Sequence, residues 1–154
     1  MTAQKLGMTV TYDPKIYRTF IQSNTLDVNK PIAYEKAQTT KQQIALSFDD
    51  GPDKLITPPI LDILKEKGVP ATFFFVGEQV SYFPQLEKRM VDEGHTIANH
   101  SWDHSELSKL YTSQVIQQLK STNEIIEKVT GVKATLIRPP YGDVTPAVPL
   151  YLKN

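Results

Sequence analysis

From Gln42 onward the chain alternates between short apolar runs and longer stretches whose apolar residues recur every third or fourth position. The runs predict strands at "QQIALSF" (42–48), "ATFFFVG" (71–77), "HTIANH" (95–100) and "KATLIR" (133–138). "ATFFFVG" is almost wholly apolar, the pattern of a strand covered on both faces. Between the strands lie helical patterns. Ile60, Leu61 and Leu64 share a face behind Thr57, a predicted N-cap with Pro58 in the first turn, and Gly68 ends that helix. Leu86 and Met90 mark a short helix that stops at Gly94. Val115, Leu119, Ile126 and Val129 line a long helix over 113–130, with Gly131 beyond its end. Strands alternating with helices predict a parallel sheet of βα units, either open or part of a barrel. Before Gln42 no period is sustained: "MTVTY" predicts a short strand, "PKIYRTFIQS" one or two helical turns, and residues 24–41 a polar linker or arm.

In α/β folds sites form from the loops beyond the C-terminal strand ends. The first strand is followed by Asp49 and Asp50, the third by "NHSWDH" with His100 and His104, and the fourth by "RPPYGD" with Arg138 and Tyr141. Two of the chain's three histidines therefore stand four apart just past a strand end. On a helical turn such a pair shares one face and can reach one point. Two imidazoles and a carboxylate make a three-ligand set with an open position, the form of a catalytic metal site. Zinc suits these ligands, and cobalt, nickel or iron(II) can take the same geometry. One aspartate can complete that site while its neighbour accepts a proton from water. Successive side chains on a regular strand point to opposite faces, so Gly51 and Pro52 are expected to supply a bend. Arg138 can hold the free carboxylate ionised, and the turn at "PPYG" can aim a backbone N–H at an oxyanion. The chemistry implied is metal-assisted hydrolysis of an amide or ester.

Each feature alone has a plainer reading. Asp-Asp-Gly-Pro is an ordinary turn sequence. A lone His-x-x-x-His is often a surface or capping pair, and Arg-Pro-Pro-Tyr-Gly can simply end a strand. What weakens these readings jointly is that three strand ends on one side of the sheet all carry such chemistry. His95 begins the strand that ends at His100, roughly 16 Å away in extended chain, so it is read as structural. Trp102 fits a pocket wall or the core equally well.

Composition narrows the classes. With 40% apolar and 22% charged residues, the 154-residue chain is an ordinary globular sequence with room for one domain with a core. Seventeen basic and 17 acidic residues leave no net field that would attract nucleic acid or an anionic membrane. The absence of cysteine excludes disulfides and thiolate metal ligation. No run reaches the length of a membrane span, and the N-terminus lacks an apolar signal core.

"SFDDGP", "HSWDH" and "RPPYG", in that order over about 42–143, resemble the first three motifs of the polysaccharide deacetylases, the NodB-homology domains of carbohydrate esterase family 4. The resemblance implies an irregular (β/α) barrel over 42–154, truncated at its C-terminus relative to the family, with residues 1–41 as an arm or the end of a preceding domain. It implies Asp49 as general base, Asp50, His100 and His104 as ligands of a divalent metal (zinc first, cobalt or nickel otherwise), Arg138 as the residue orienting the base, and Tyr141 as an oxyanion donor through its backbone amide. The activity implied is removal of N-acetyl groups from amino sugars in peptidoglycan or chitin-like chains, outside the cytoplasm or at the cell wall. Family members continue past the third motif to a histidine that acts as general acid, whereas no histidine follows His104 here. The expectation is a piece of a longer enzyme. The alternatives are a carbohydrate- or metal-binding relative without the acid, or a barrel completed by self-association through exposed strand edges.

Overall fold

A computed structural model of the protein describes residues 8–13, 18–23 and 44–152. The chain divides into two compact units, the second spanning Ala45–Tyr151. In the first, β1 (Met8–Asp13) and β2 (Arg18–Ser23) form an antiparallel pair with Met8 opposite Ser23 and Val10 opposite Ile21. The helical turns expected over 14–23 are thus corrected: Arg18–Ser23 is a strand, drawn out by pairing with β1. The linker or arm expected over 24–41 lies outside the described residues.

The second unit is built on a three-stranded parallel sheet in the order β3-β4-β5: β3 is Ser47–Phe48, β4 Thr72–Phe75 and β5 Thr96–Asn99. The first strand is much shorter than its apolar run, although Thr72 still donates its N–H to the Leu46 carbonyl. The fourth predicted strand narrows to one parallel bridge between Asn99 and Ile137, with N–H bonds from Asn99 to the Leu136 carbonyl and from Arg138 to that of Asn99. That bridge suffices to bring Arg138 beside the end of β5.

The helices follow their apolar spacing closely. α1 (Thr57–Lys67) buries Leu61 and Leu64, α3 (Pro84–Asp92) buries Leu86 and Met90, and α4 (Thr112–Thr130) buries Val115, Leu119 and Ile126. Phe73, Phe75 and Ile97 from the strands join Leu61, Leu64, Val80, Met90 and Ile126 in one core. A second cluster gathers Leu107, Val115 and Leu119 with Ala147 and Val148 of α5 (Ala147–Leu152). Thr57 is not the expected N-cap but the first helical residue. The N-cap is Ile56, which makes no side-chain cap bond; ahead of it Asp53 forms a turn, accepting N–H bonds from Ile56 and Leu55 that hold its carboxyl below the usual range, the Ile56 bond contributing most. A further helix, α2 (Gly77–Tyr82), starts straight after β4.

A carboxyl group lies in this interior without a hydrogen-bond partner among the described residues. Glu87 on α3 is fully buried, neither carboxyl oxygen has a hydrogen bond among the described residues, and burial pushes its pKa up to about 8. The folded state therefore retains a proton that the unfolded chain releases near its ordinary value of 4.5. The associated stability is complete below that value and declines as pH rises toward 8. Glu87→Met is expected to flatten this decline and to raise stability at pH 8 by about 2 kcal/mol, since it replaces an unpaired buried polar group with an apolar one of similar shape. Urea unfolding of both forms at pH 5 and pH 8 checks this, and an unchanged pH dependence would contradict it.

Candidate metal centre

Three loops meet beyond the C-terminal ends of the strands. After β3 the chain bends at Asp50 itself, whose φ of 71° places a non-glycine residue in the left-handed region. The bend expected at Gly51 and Pro52 thus starts one residue earlier, at Asp50, and continues through a cis Gly51–Pro52 peptide bond. The turn separates the two carboxylates. Asp49 faces Arg138, and Asp50 faces the histidines.

Asp50 Oδ1 lies 3.3 Å from His100 Nε2 and 3.1 Å from His104 Nε2. One ligand atom from each of the three residues fits within a group whose members all lie within 4.8 Å of one another. Atoms bound at ~2.0–2.1 Å to one tetrahedral ion stand about 3.3–3.4 Å apart, so the carboxylate-to-imidazole spacings match the edges of such a site. Asp50 is largely exposed while His100 is buried, leaving one side of the group open to solvent. His100 Nδ1 lies 2.6 Å from the Arg138 carbonyl oxygen. A proton on Nδ1 donated to that carbonyl leaves the Nε2 lone pair facing Asp50, as ligation requires. The donor set and its orientation fit a divalent cation.

The histidines do not converge on a helical turn, as their spacing suggested. Residues 100–104 form a loop in which Ser101 (φ 68°) and His104 (φ 61°) both adopt left-handed backbone, and the imidazole centroids end 5.0 Å apart. Asn99, fully buried, accepts the Ser101 N–H and donates to the Leu119 carbonyl and to Asn123.

Arg138 serves two neighbours at once. While its carbonyl accepts from His100, its Nη1 donates to Asp49 Oδ1 at 2.5 Å and to Ser47 Oγ at 3.1 Å, and its guanidinium lies 3.9 Å from the Phe74 ring centroid. Both members of the Asp49–Arg138 pair remain partly exposed. Tyr141 (φ 59°) sits in a tight turn, its exposed ring edge-on to His104 at 4.9 Å. Asp143 ties this turn to the neighbouring loop by accepting the Ser108 N–H, and the Ser108 hydroxyl first, with that N–H second, holds its carboxyl below the ordinary value. All six residues singled out from sequence thus lie around one point. His95 does not join them: it is buried beside Phe73 and accepts the Ala71 N–H.

Ser47, Asn99, Gln118 and Asp143 are support residues that sequence reasoning missed. Gly77 is another. A Cβ there would lie 2.6 Å from Trp102 Cε3 and 2.7 Å from Thr122 Oγ1, so α2 reaches the histidine loop only because residue 77 has no side chain. Gly77→Ala is expected to cost about 1–3 kcal/mol by overpacking and to displace Trp102, which lies between the two histidines. Thermal melting checks the first effect and indole fluorescence the second. An unshifted melting temperature would contradict the close approach.

The family model for polysaccharide deacetylases matches residues 36–154. The chain is 44% identical over 110 residues to the peptidoglycan N-acetylmuramic acid deacetylase PdaC of Bacillus subtilis, an alignment covering 71% of this chain and 24% of that protein. It is 45% identical over 104 residues to a peptidoglycan N-acetylglucosamine deacetylase of Bacillus cereus, covering 68% of this chain and 38% of the relative. The solved structure of Bacillus subtilis PdaC superposes with a TM-score of 0.69 at 43% identity, covering 71% of this chain and 54% of that one. The chain thus spans between a quarter and two fifths of these curated relatives' length and about half of the solved structure. The expected α/β class, with the NodB-type barrel as its parent fold, is the class of these neighbours.

Proposed function

This chain belongs to the polysaccharide deacetylase family, and from that premise we propose that it carries the metal centre of a hydrolase removing N-acetyl groups from amino sugars of a polysaccharide, peptidoglycan or a chitin-like chain. The observation that carries the reading is the division of labour between adjacent aspartates: Asp50 lies 3.1–3.3 Å from two imidazole nitrogens, and Asp49 is paired with Arg138. Asp50, His100 and His104 would hold the metal. Zinc suits two imidazoles and a carboxylate best, and cobalt or nickel fits the same set. When bound, the ion supplies a Lewis acid and acidifies a water molecule at the open position.

The chain's own residues do the rest. Asp49 accepts the proton as the water oxygen adds to the acetamide carbonyl. Arg138 aims that carboxylate through its Nη1 donor, and its carbonyl fixes the His100 ring. The Tyr141 N–H donates to the oxyanion that develops on the carbonyl oxygen. The C–N bond then breaks as the leaving nitrogen takes up a proton from solvent, giving acetate and a free amine on the sugar. The catalytic domain is assigned to residues 42–154, with residues 1–41 as an arm or the end of a preceding domain. A polymer of this kind lies outside the cytoplasm, which puts the proposed site of action at the cell wall.

The test is acetate release from N-acetylglucosamine oligomers by protein stripped with a chelator and then reloaded with zinc. Release that disappears on stripping and returns with zinc supports the reading. A zinc-loaded protein that releases no acetate from oligomers or from peptidoglycan would contradict it, and would point to a sugar- or metal-binding relative instead.

A further inference from the structure

We propose that Gln118 of α4 is a positioning residue for the loop that presents His100 and His104, an inference that rests on the metal-site reading above. The loop needs outside support because two of its five residues, Ser101 and His104, hold left-handed backbone without being glycine. Such backbone is unfavourable for a residue that carries a Cβ, and it persists only where its surroundings dictate it.

The loop's backbone partners show where that support comes from. The His100 N–H reaches the Phe75 carbonyl, and the Ser101 N–H reaches Asn99 Oδ1. The Ser101 and Trp102 carbonyls accept from the N–H groups of Gly77 and Glu78 at the start of α2. The two donors in the middle of the loop, Trp102 N–H and Asp103 N–H, both go to Gln118 Oε1, at 2.7 and 3.2 Å. The same amide then donates from Nε2 to Asp103 Oδ2 at 2.8 Å, while Asp103 Oδ1 accepts the Ser105 N–H at 3.0 Å. One side chain therefore grips the backbone before His104 directly and the residue after it through Asp103.

An amide suits this place on chemical grounds. It must accept from backbone N–H groups with one atom and donate to a carboxylate with the other. A glutamate can accept but would face Asp103 with like charge, and a methionine can do neither. Gln118 is itself held in place: Asn99, at the end of β5, donates to the adjacent Leu119 carbonyl at 2.7 Å, and Thr122 Oγ1 donates to the Gln118 carbonyl at 2.9 Å. A rigid path thus runs from β5 through α4 to the histidine loop. Removing its last link frees His104 to leave the arrangement that places its Nε2 beside Asp50.

The experiment measures zinc affinity by chelator competition in Gln118→Met, Gln118→Glu, Gln118→Glu with Asp103→Asn, and His104→Ala. Metal-free melting temperatures are recorded alongside, and Co²⁺ absorption reports ligand geometry. Gln118→Met is expected to weaken zinc binding about 10–100-fold, as loss of partners behind metal ligands generally does. Gln118→Glu is expected to weaken it at least as much. The double variant restores a donor–acceptor pair with the roles reversed and is expected to recover most of the affinity. Parental affinity in Gln118→Met, with binding lost in His104→Ala, overturns the positioning role alone. Parental affinity in both overturns the metal-site reading and the positioning role with it. Equal loss in Gln118→Met and the double variant assigns the effect to general destabilisation and also overturns the proposal.

Discussion

Asp49→Asn is expected to lower kcat for acetate release by about 10³-fold, within the 10²–10⁴ range that a positioned general base contributes, while zinc affinity stays close to parental. Asparagine has the same shape, and its Oδ1 can still accept from Arg138 Nη1, so the local geometry is preserved. What disappears is a carboxylate able to take a proton. Asp49 makes no contact with either imidazole, whereas Asp50 lies within 3.3 Å of both, so the metal ligands are untouched. Steady-state kinetics at saturating zinc, with metal content measured on the same sample, check both halves. Parental turnover in the variant would remove Asp49 from the base role. Loss of zinc would show that the two aspartates do not divide the work.

The second large effect is expected from His104→Ala. Deleting one of three protein ligands should weaken zinc binding by more than the roughly 10–100-fold typical of partners behind the ligands, and acetate release at stoichiometric zinc should vanish with it. His104 is the cleaner choice of the two histidines. His100 is buried and its Nδ1 partners the Arg138 carbonyl, so His100→Ala also opens a cavity and leaves a half-buried acceptor unpaired, at about 1–3 kcal/mol of stability. His104 is partly exposed, and its ring meets chiefly Asp50, His100 and Tyr141. A variant that folds and melts like the parent but binds zinc poorly isolates ligation from folding. Unaltered zinc binding would exclude His104 from the metal centre.

Much of this site is legible in the amino-acid sequence, and for a physical reason. Buried helix faces and doubly covered strands impose strict apolar periods, so Leu61, Leu64, Phe73, Phe75, Val115, Leu119 and Ile126 could be placed in the core from spacing alone. The motif residues stood out because carboxylates, histidines and an arginine fell directly after three of those strands. Other features left no such trace. A strand of two residues and one of a single bridge are set by neighbours rather than by their own sequence. The pairing of β1 and β2 overrode a segment that read as helical. Left-handed backbone at Asp50, Ser101, His104 and Tyr141 is fixed by contacts across the loops, and the mild preference of aspartate and histidine for it is too weak to announce it from sequence. Gln118 sits beside Leu119 at the edge of an amphipathic helix, where a solvated glutamine is the ordinary expectation.

X-ray absorption at the zinc edge, recorded on protein loaded with one equivalent of zinc, tests the central claim most directly. The expected result is a single site with two imidazole nitrogens and a carboxylate oxygen at ~2.0–2.2 Å plus a light atom from solvent. The imidazole signal should fall by at least half in His104→Ala and stay intact in Asp49→Asn. A zinc site without two imidazoles, or one that changes in Asp49→Asn but not in His104→Ala, would contradict the account.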